Sequence, residues 1–178
     1  MNKEKSTEEN RQIELVKQAQ QKDVDAFTKL YEQFSKELYQ SACYYLHNQQ
    51  DAEDAVSETV MAAWTQLATL REPEKFRAWL FKILSNRCKS KQRQYLEKPL
   101  ELREDFSELP EERVSDIAGR LDLRVAFRKL VEADRMILIL SVLEGYTTKE
   151  VAKMLDMNHA TVRSRKSRAL ERLAELLT

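Results

Sequence analysis

Residues 147–169 read TTKEVAKMLDMNHATVRSRKSRA, and they gather Arg163, Ser164, Arg165, Lys166, Ser167 and Arg168 into one run of cations and hydroxyls. Side chains of these types bind rather than break bonds. Arginine bridges the N7 and O6 acceptors of guanine in the major groove, while lysine and further arginines hold phosphates. At about 100° per residue, with Val162 facing inward, Ala160, Arg163, Ser164, Ser167 and Arg168 point outward or flank the outer face. That face carries few carboxylates before Glu171. A merely solvated amphipathic helix accounts less well for such sorting of charge than a duplex-DNA reader does.

A second cationic track lies at residues 74–94, EKFRAWLFKILSNRCKSKQRQ, where Lys75, Lys82, Asn86, Lys89 and Arg93 share a narrow angular band. No acid occurs between Glu74 and Glu97. The track suits a phosphate backbone, and Asn86 offers both donor and acceptor to a base edge. Trp79 and Phe81 are candidates to stack on unpaired bases, although Trp79 shares a face with Phe76 and Ile83 and fits the core better. Residues 51–64, DAEDAVSETVMAAW, show the opposite charge. Asp51, Asp54 and Glu58 gather on one side of a helix whose other side is apolar, a ridge suited to a basic partner or to plain solvation.

Other chemistries find little support. Cys43 and His47 stand four residues apart, and Cys88 would be needed to extend them to a metal site. A buried thiol beside a surface imidazole is the simpler reading, so no metal and no cofactor are expected. With only 2 histidines, no glycine-rich phosphate loop and no serine elbow, an enzyme is not indicated.

These residues need helices to position them. The chain has 178 residues, 30 basic and 30 acidic, with 2 glycines and 3 prolines, so long stretches contain no helix breaker. An all-α fold of two small helical domains follows. Phe27, Leu30, Tyr31, Phe34, Leu38 and Tyr45 line one helix, and Ala52, Val56, Val60, Ala63 and Leu67 line the next. Residues 96–118 lose this periodicity, with acids in excess, and read as an extended linker. Beyond Gly119 the pattern resumes through Leu121, Val125, Phe127 and Leu130 to an apolar helix ending near Gly145, and Ile137, Leu140, Val151, Leu155, Val162 and Leu173 form a second core. Thr147 and Glu150 are spaced as a capping box, and Asn158 can cap the following helix. Expected boundaries are a polar tail at 1–10, a first domain at 11–95, the flexible linker at 96–118 and a helix-turn-helix domain at 119–178. No apolar run approaches a membrane span and the N-terminus is too polar for a signal peptide, which predicts a cytoplasmic protein.

In order and spacing, DAFTKLYEQF, DAEDAVSETVMAAW, FRAWLFKILSNRCKSKQR, the acidic linker and EGYTTKEVAKMLDMNHATVRSRKSRALERL resemble the extracytoplasmic-function group of bacterial sigma factors. The resemblance covers nearly the whole chain. It implies a region 2 bundle and a region 4 helix-turn-helix domain, working together in promoter-specific transcription initiation. By the same resemblance, Asp51, Asp54 and Glu58 dock on the clamp helices of core RNA polymerase, whose flap is a second contact. Residues 71–75 form a pocket for a flipped minus-10 base, with Lys75, Lys82, Asn86, Lys89 and Arg93 along the opened strand. Arg163, Ser164, Arg165, Lys166, Ser167 and Arg168 meet the minus-35 duplex. An anti-sigma factor, soluble or membrane-anchored, is a further implied partner. The chain departs from the usual pattern at Leu130-Val131, where Leu-Pro is common, at Lys166, where an apolar residue is common, and at Ser141 and Ser167, which replace larger groups. A helix-turn-helix regulator acting without polymerase, or a protein-binding helical adaptor, are the competing readings.

Overall fold

A computed structural model describes the backbone of residues 2–97 and 117–177, and the side chains of residues 7–97 and 122–177. Most of the acidic linker, and the side chain of Leu121, lie outside the described residues. All described elements are helical. The first unit comprises α1 (Asn2–Gln20), α2 (Val24–Leu46), α3 (Gln49–Gln66) and α4 (Phe76–Glu97). The second comprises α5 (Ile117–Arg128), α6 (Glu132–Leu138), α7 (Thr148–Leu155) and α8 (His159–Leu177). Because α1 already begins at Asn2, the polar stretch expected as a tail is helical.

Local chemistry sets the turns. Lys22 takes a left-handed backbone (φ 69°), and its N–H bonds Ala19 O at 3.0 Å while that of Asp23 bonds Gln18 O at 3.3 Å. This paired closure ends α1 and hands the chain to Asp23, whose carboxylate accepts from the Ala26 N–H and starts α2. His47 (φ 56°) ends α2, and Asn48 caps α3 by accepting from the Asp51 N–H at 2.7 Å. Further on, α6 widens into a π-turn over Ile139–Leu143, and Gly145 (φ 75°) makes the left-handed step that lets the chain reverse.

Leu30, Leu38, Phe76 and Phe81 are fully enclosed in the first unit, as are Phe127, Ile137 and Leu140 in the second. These residues belong to one continuous apolar cluster, so the two units are packed against each other. Tyr44 meets Phe127 at 5.3 Å between ring centres, and Phe81 meets the edge of Tyr146 at 5.9 Å. Arg135, only 6% exposed, spans the same seam. Its guanidinium donates to the carbonyls of Phe127, Arg128 and Leu130 at the end of α5 and to Tyr45 O of α2 at 2.8 Å.

A charged clasp closes the rest of the seam. Arg77 of α4 donates to Glu37 of α2 at 3.1 Å, to the Glu144 carboxylate at 2.7 Å and to Glu144 O at 3.1 Å. Ser41 Oγ donates to the other Glu144 oxygen at 2.6 Å. The guanidinium also lies over the rings of Phe81 and Tyr146, 5.0 and 4.8 Å from their centres. Burial pushes the Glu144 carboxyl upward, against the pull of Ser41 and Arg77. Arg77 is itself partly desolvated, but Tyr146, Glu37 and Glu144 raise it on balance, so the ionic state of the pair follows Glu144.

Three expectations change here. Phe81 is fully buried under the second unit and is not available to stack on a base. Val125 is 47% exposed, because its neighbours Ala126 and Phe127 take the inward face of α5. His47 is no surface imidazole, since its Nε2 is buried without a hydrogen-bond partner. Five of the six residues assigned to the second core are buried, and Leu173 packs at its margin.

Candidate nucleic-acid and polymerase interfaces

The helix-turn-helix is built by its caps. Thr147 accepts from the Glu150 N–H at 3.3 Å, and the Glu150 carboxylate accepts from the Thr147 N–H at 2.8 Å, so both halves of the capping box are present. The Thr147 hydroxyl and backbone contacts hold the Glu150 carboxyl below its ordinary range. Asp156 takes the left-handed turn (φ 53°), and Asn158 accepts from the Ala160 N–H at 2.8 Å to begin α8. A 2.9 Å hydrogen bond between Thr148 Oγ1 and His159 Nε2 ties the start of α7 to the start of α8. Val151, Leu155, Val162 and Ala169 are buried between the two helices and their support.

From this frame Arg163, Ser164, Ser167 and Arg168 project as an exposed set. Arg168 Nε reaches back only to Ser164 O at 3.4 Å, and Ser167 lies 3.5 Å from the Glu171 carboxylate, so both remain free to exchange these contacts for a ligand. Arg165 is different. It bonds Asp134 of α6 at 2.9 Å and is half-buried, which fixes how α8 sits on the domain. Lys166 is also half-buried.

The track on α4 is more heavily used by the protein itself. Lys82 pairs with Asp156 of the helix-turn-helix turn at 3.1 Å. Lys89 is half-buried; desolvation lowers its ammonium from the ordinary range, with Lys82 adding to this and Asp156 opposing it. Lys75 pairs with Glu72 inside the loop that precedes α4. Asn86 and Arg93 stay exposed. Trp79 stacks at 6.0 Å on Phe76, in keeping with its core assignment.

On the acidic ridge, Lys91 of α4 reaches between Asp54 and Glu58 of α3, at 3.3 and 2.9 Å. Asp51, one turn earlier, is half-buried, and Met61, three residues after Glu58, is 70% exposed. The sequence reading missed Lys91, Arg77 and Arg135 as partners of specific groups. Lys91 was the one within reach: it falls outside the angular band of the other α4 cations, so an acceptor on a neighbouring helix was indicated. Among the described residues no group of three potential metal ligands occurs, and none of the helices is long and apolar enough to cross a membrane.

Residues 30–95 match Sigma-70 region 2, and residues 120–173 match Sigma-70 region 4. Among curated relatives, the ECF RNA polymerase sigma factor BldN of Streptomyces coelicolor is 30% identical over 174 residues, covering 94% of this chain and 66% of BldN. RNA polymerase sigma factor SigV of Bacillus subtilis is 31% identical over 146 residues, covering 80% of this chain and 86% of SigV. Among solved structures, CnrH in complex with the cytosolic domain of CnrY matches with a TM-score of 0.72 at 27% identity, covering 94% of this chain and 97% of CnrH. The sigma factor RpoE of Bartonella quintana, in complex with the anti-sigma factor NepR, matches with a TM-score of 0.72 at 26% identity, covering 86% and 98%. The chain belongs to the extracytoplasmic-function sigma factors of the sigma-70 family.

Proposed function

We propose a residue-level division of labour for this alternative sigma factor. The first domain, residues 11–95, holds core RNA polymerase through Asp51, Asp54 and Glu58 and engages the opened minus-10 strand through Lys75, Lys82, Asn86, Lys89 and Arg93. The linker at 96–118 connects it to the second domain at 119–178, where Arg163, Ser164, Ser167 and Arg168 read the minus-35 duplex. Arg165 and Lys166 flank that face and contribute to phosphate contacts. Residues 71–75 receive a flipped minus-10 base, and capture of an extruded base offsets an unstacking cost of a few kcal/mol. Bond-making chemistry belongs to the polymerase, and the working place of the pair is the cytoplasm.

One observation carries this reading: the exposed arc of Arg163, Ser164, Ser167 and Arg168 on a helix whose entry is fixed by caps on both sides of the turn. Reconstituted transcription tests it. Core polymerase with this protein starts at defined promoters, and Arg168→Ala lowers that initiation while leaving polymerase affinity unchanged; equal initiation with and without the protein overturns the reading. An anti-sigma factor that holds both domains is the regulatory partner, supported by the similar RpoE structure with NepR.

A further inference from the structure

The last residue of α1, Gln20, lies outside the matched region 2 segment, which starts at residue 30. Its side-chain amide donates to Leu67 O at 3.1 Å and to Leu70 O at 2.7 Å. These carbonyls flank the 3-10 turn that leads into residues 71–75, and Leu67 O also accepts from the Leu70 N–H at 3.1 Å. Gln20 is held from behind. Val16 and Ala19 are buried in the core, and the paired closure around Lys22 fixes the end of α1. Leu67 and Leu70 are themselves buried, whereas Arg71, Glu72, Glu74 and Lys75 beyond them are exposed.

We propose that Gln20 is the positioning residue for the base-capturing loop: one amide ties both carbonyls of the turn at its root to a rigid helix end, so the loop meets an extruded base already shaped. This rests on the reading of residues 71–75 as the capture pocket. A loop ordered in advance loses less conformational freedom on binding than one ordered by its ligand, so the benefit appears only when a base is captured. Gln20 touches neither base nor polymerase in this role.

The test uses holoenzyme assembled from core polymerase and the full chain, with promoter forks whose minus-10 strand is single and carries an abasic site at each position in turn. Wild type binds the fork missing the captured base about tenfold more weakly than the intact fork. Gln20→Glu keeps the shape but loses the donor, and Gln20→Met loses it without adding charge. Both variants bind the abasic fork as wild type does and show less than about a threefold preference for the intact one. If wild type is indifferent to every abasic site, the capture reading fails and the proposal falls with it. If wild type discriminates and both variants discriminate equally well, Gln20 alone is refuted. Equal weakening of all forks, or a loss of helical signal in both variants, marks a general structural role and also refutes the proposal.

Discussion

On α4, Arg77, Lys82 and Lys91 each end on a carboxylate elsewhere in the fold, Glu144, Asp156 and Glu58 respectively, while on α8 Arg163 and Arg168 project from the surface and Arg165 turns back, to Asp134. Both helices read from the sequence as basic tracks. The difference lies in their neighbours: α4 is packed between α2, α3 and the second unit, so Arg77, Lys82 and Lys91 meet acids there, whereas among the described residues no helix lies across from the outer face of α8. Cationic content therefore marks both helices as candidates, and the tertiary setting shows which cations must exchange a partner within the protein before they meet a ligand.

The largest way to break this contrast is at Arg135, a guanidinium enclosed in the protein. Arg135→Leu removes the donor of four hydrogen bonds to carbonyls, and a loss on the order of 3–5 kcal/mol is expected. Thermal unfolding reads it as a midpoint lowered by about 10 °C, with no rescue by lysine, which lacks the forked geometry. Next comes Arg77→Ala, which leaves the mostly buried Glu144 carboxylate with the Ser41 hydroxyl but without its cation, at a cost of about 2–4 kcal/mol. Combining it with Glu144→Gln should recover part of that loss; strict additivity in the double-mutant cycle would contradict the clasp.

A pH series sharpens the comparison from another side. Burial, and then the guanidiniums of Arg135, Arg128 and Arg124, hold the His47 imidazole down from 6.5 to about 3. Its folded value lies below the unfolded one, so the neutral ring contributes stability that is present above pH 6.5 and lost as pH falls from 6.5 toward 3. At pH 5 the loss amounts to about 2 kcal/mol, visible as a lower urea midpoint than at pH 7.5. His47→Asn, which tolerates the left-handed backbone, should flatten that slope. The smallest stability effects belong to the exposed sites: Arg168→Ala and Lys82→Ala each shift stability by less than about 0.5–1 kcal/mol. They part company in DNA binding, where Arg168→Ala costs about 1–3 kcal/mol of minus-35 affinity in a salt-controlled titration.

Much of this was legible locally. The capping box at Thr147 and Glu150, the Asn158 cap and the buried stripe through Val162 depend on residues a few positions apart, and the structure reproduces them. Local periodicity likewise picked the exposed arc of α8. What it missed depends on distance along the chain: Arg77 and Glu144 are 67 residues apart, and Arg135 and Tyr45 are 90 apart. Phe81 was misjudged for the same reason, because the aromatic edge that covers it comes from Tyr146. Arg165 shows the limit on a single helix, where the basic run grouped it with the minus-35 contacts and gave no sign of its bond to Asp134.

The seam of Tyr44, Phe81, Phe127 and Tyr146 is expected to hold the halves together even when the covalent connection between them is cut. A protease nick within residues 98–116 would leave two fragments migrating as one particle on a sizing column, melting in one cooperative step, until competition for those aromatic faces pulls them apart.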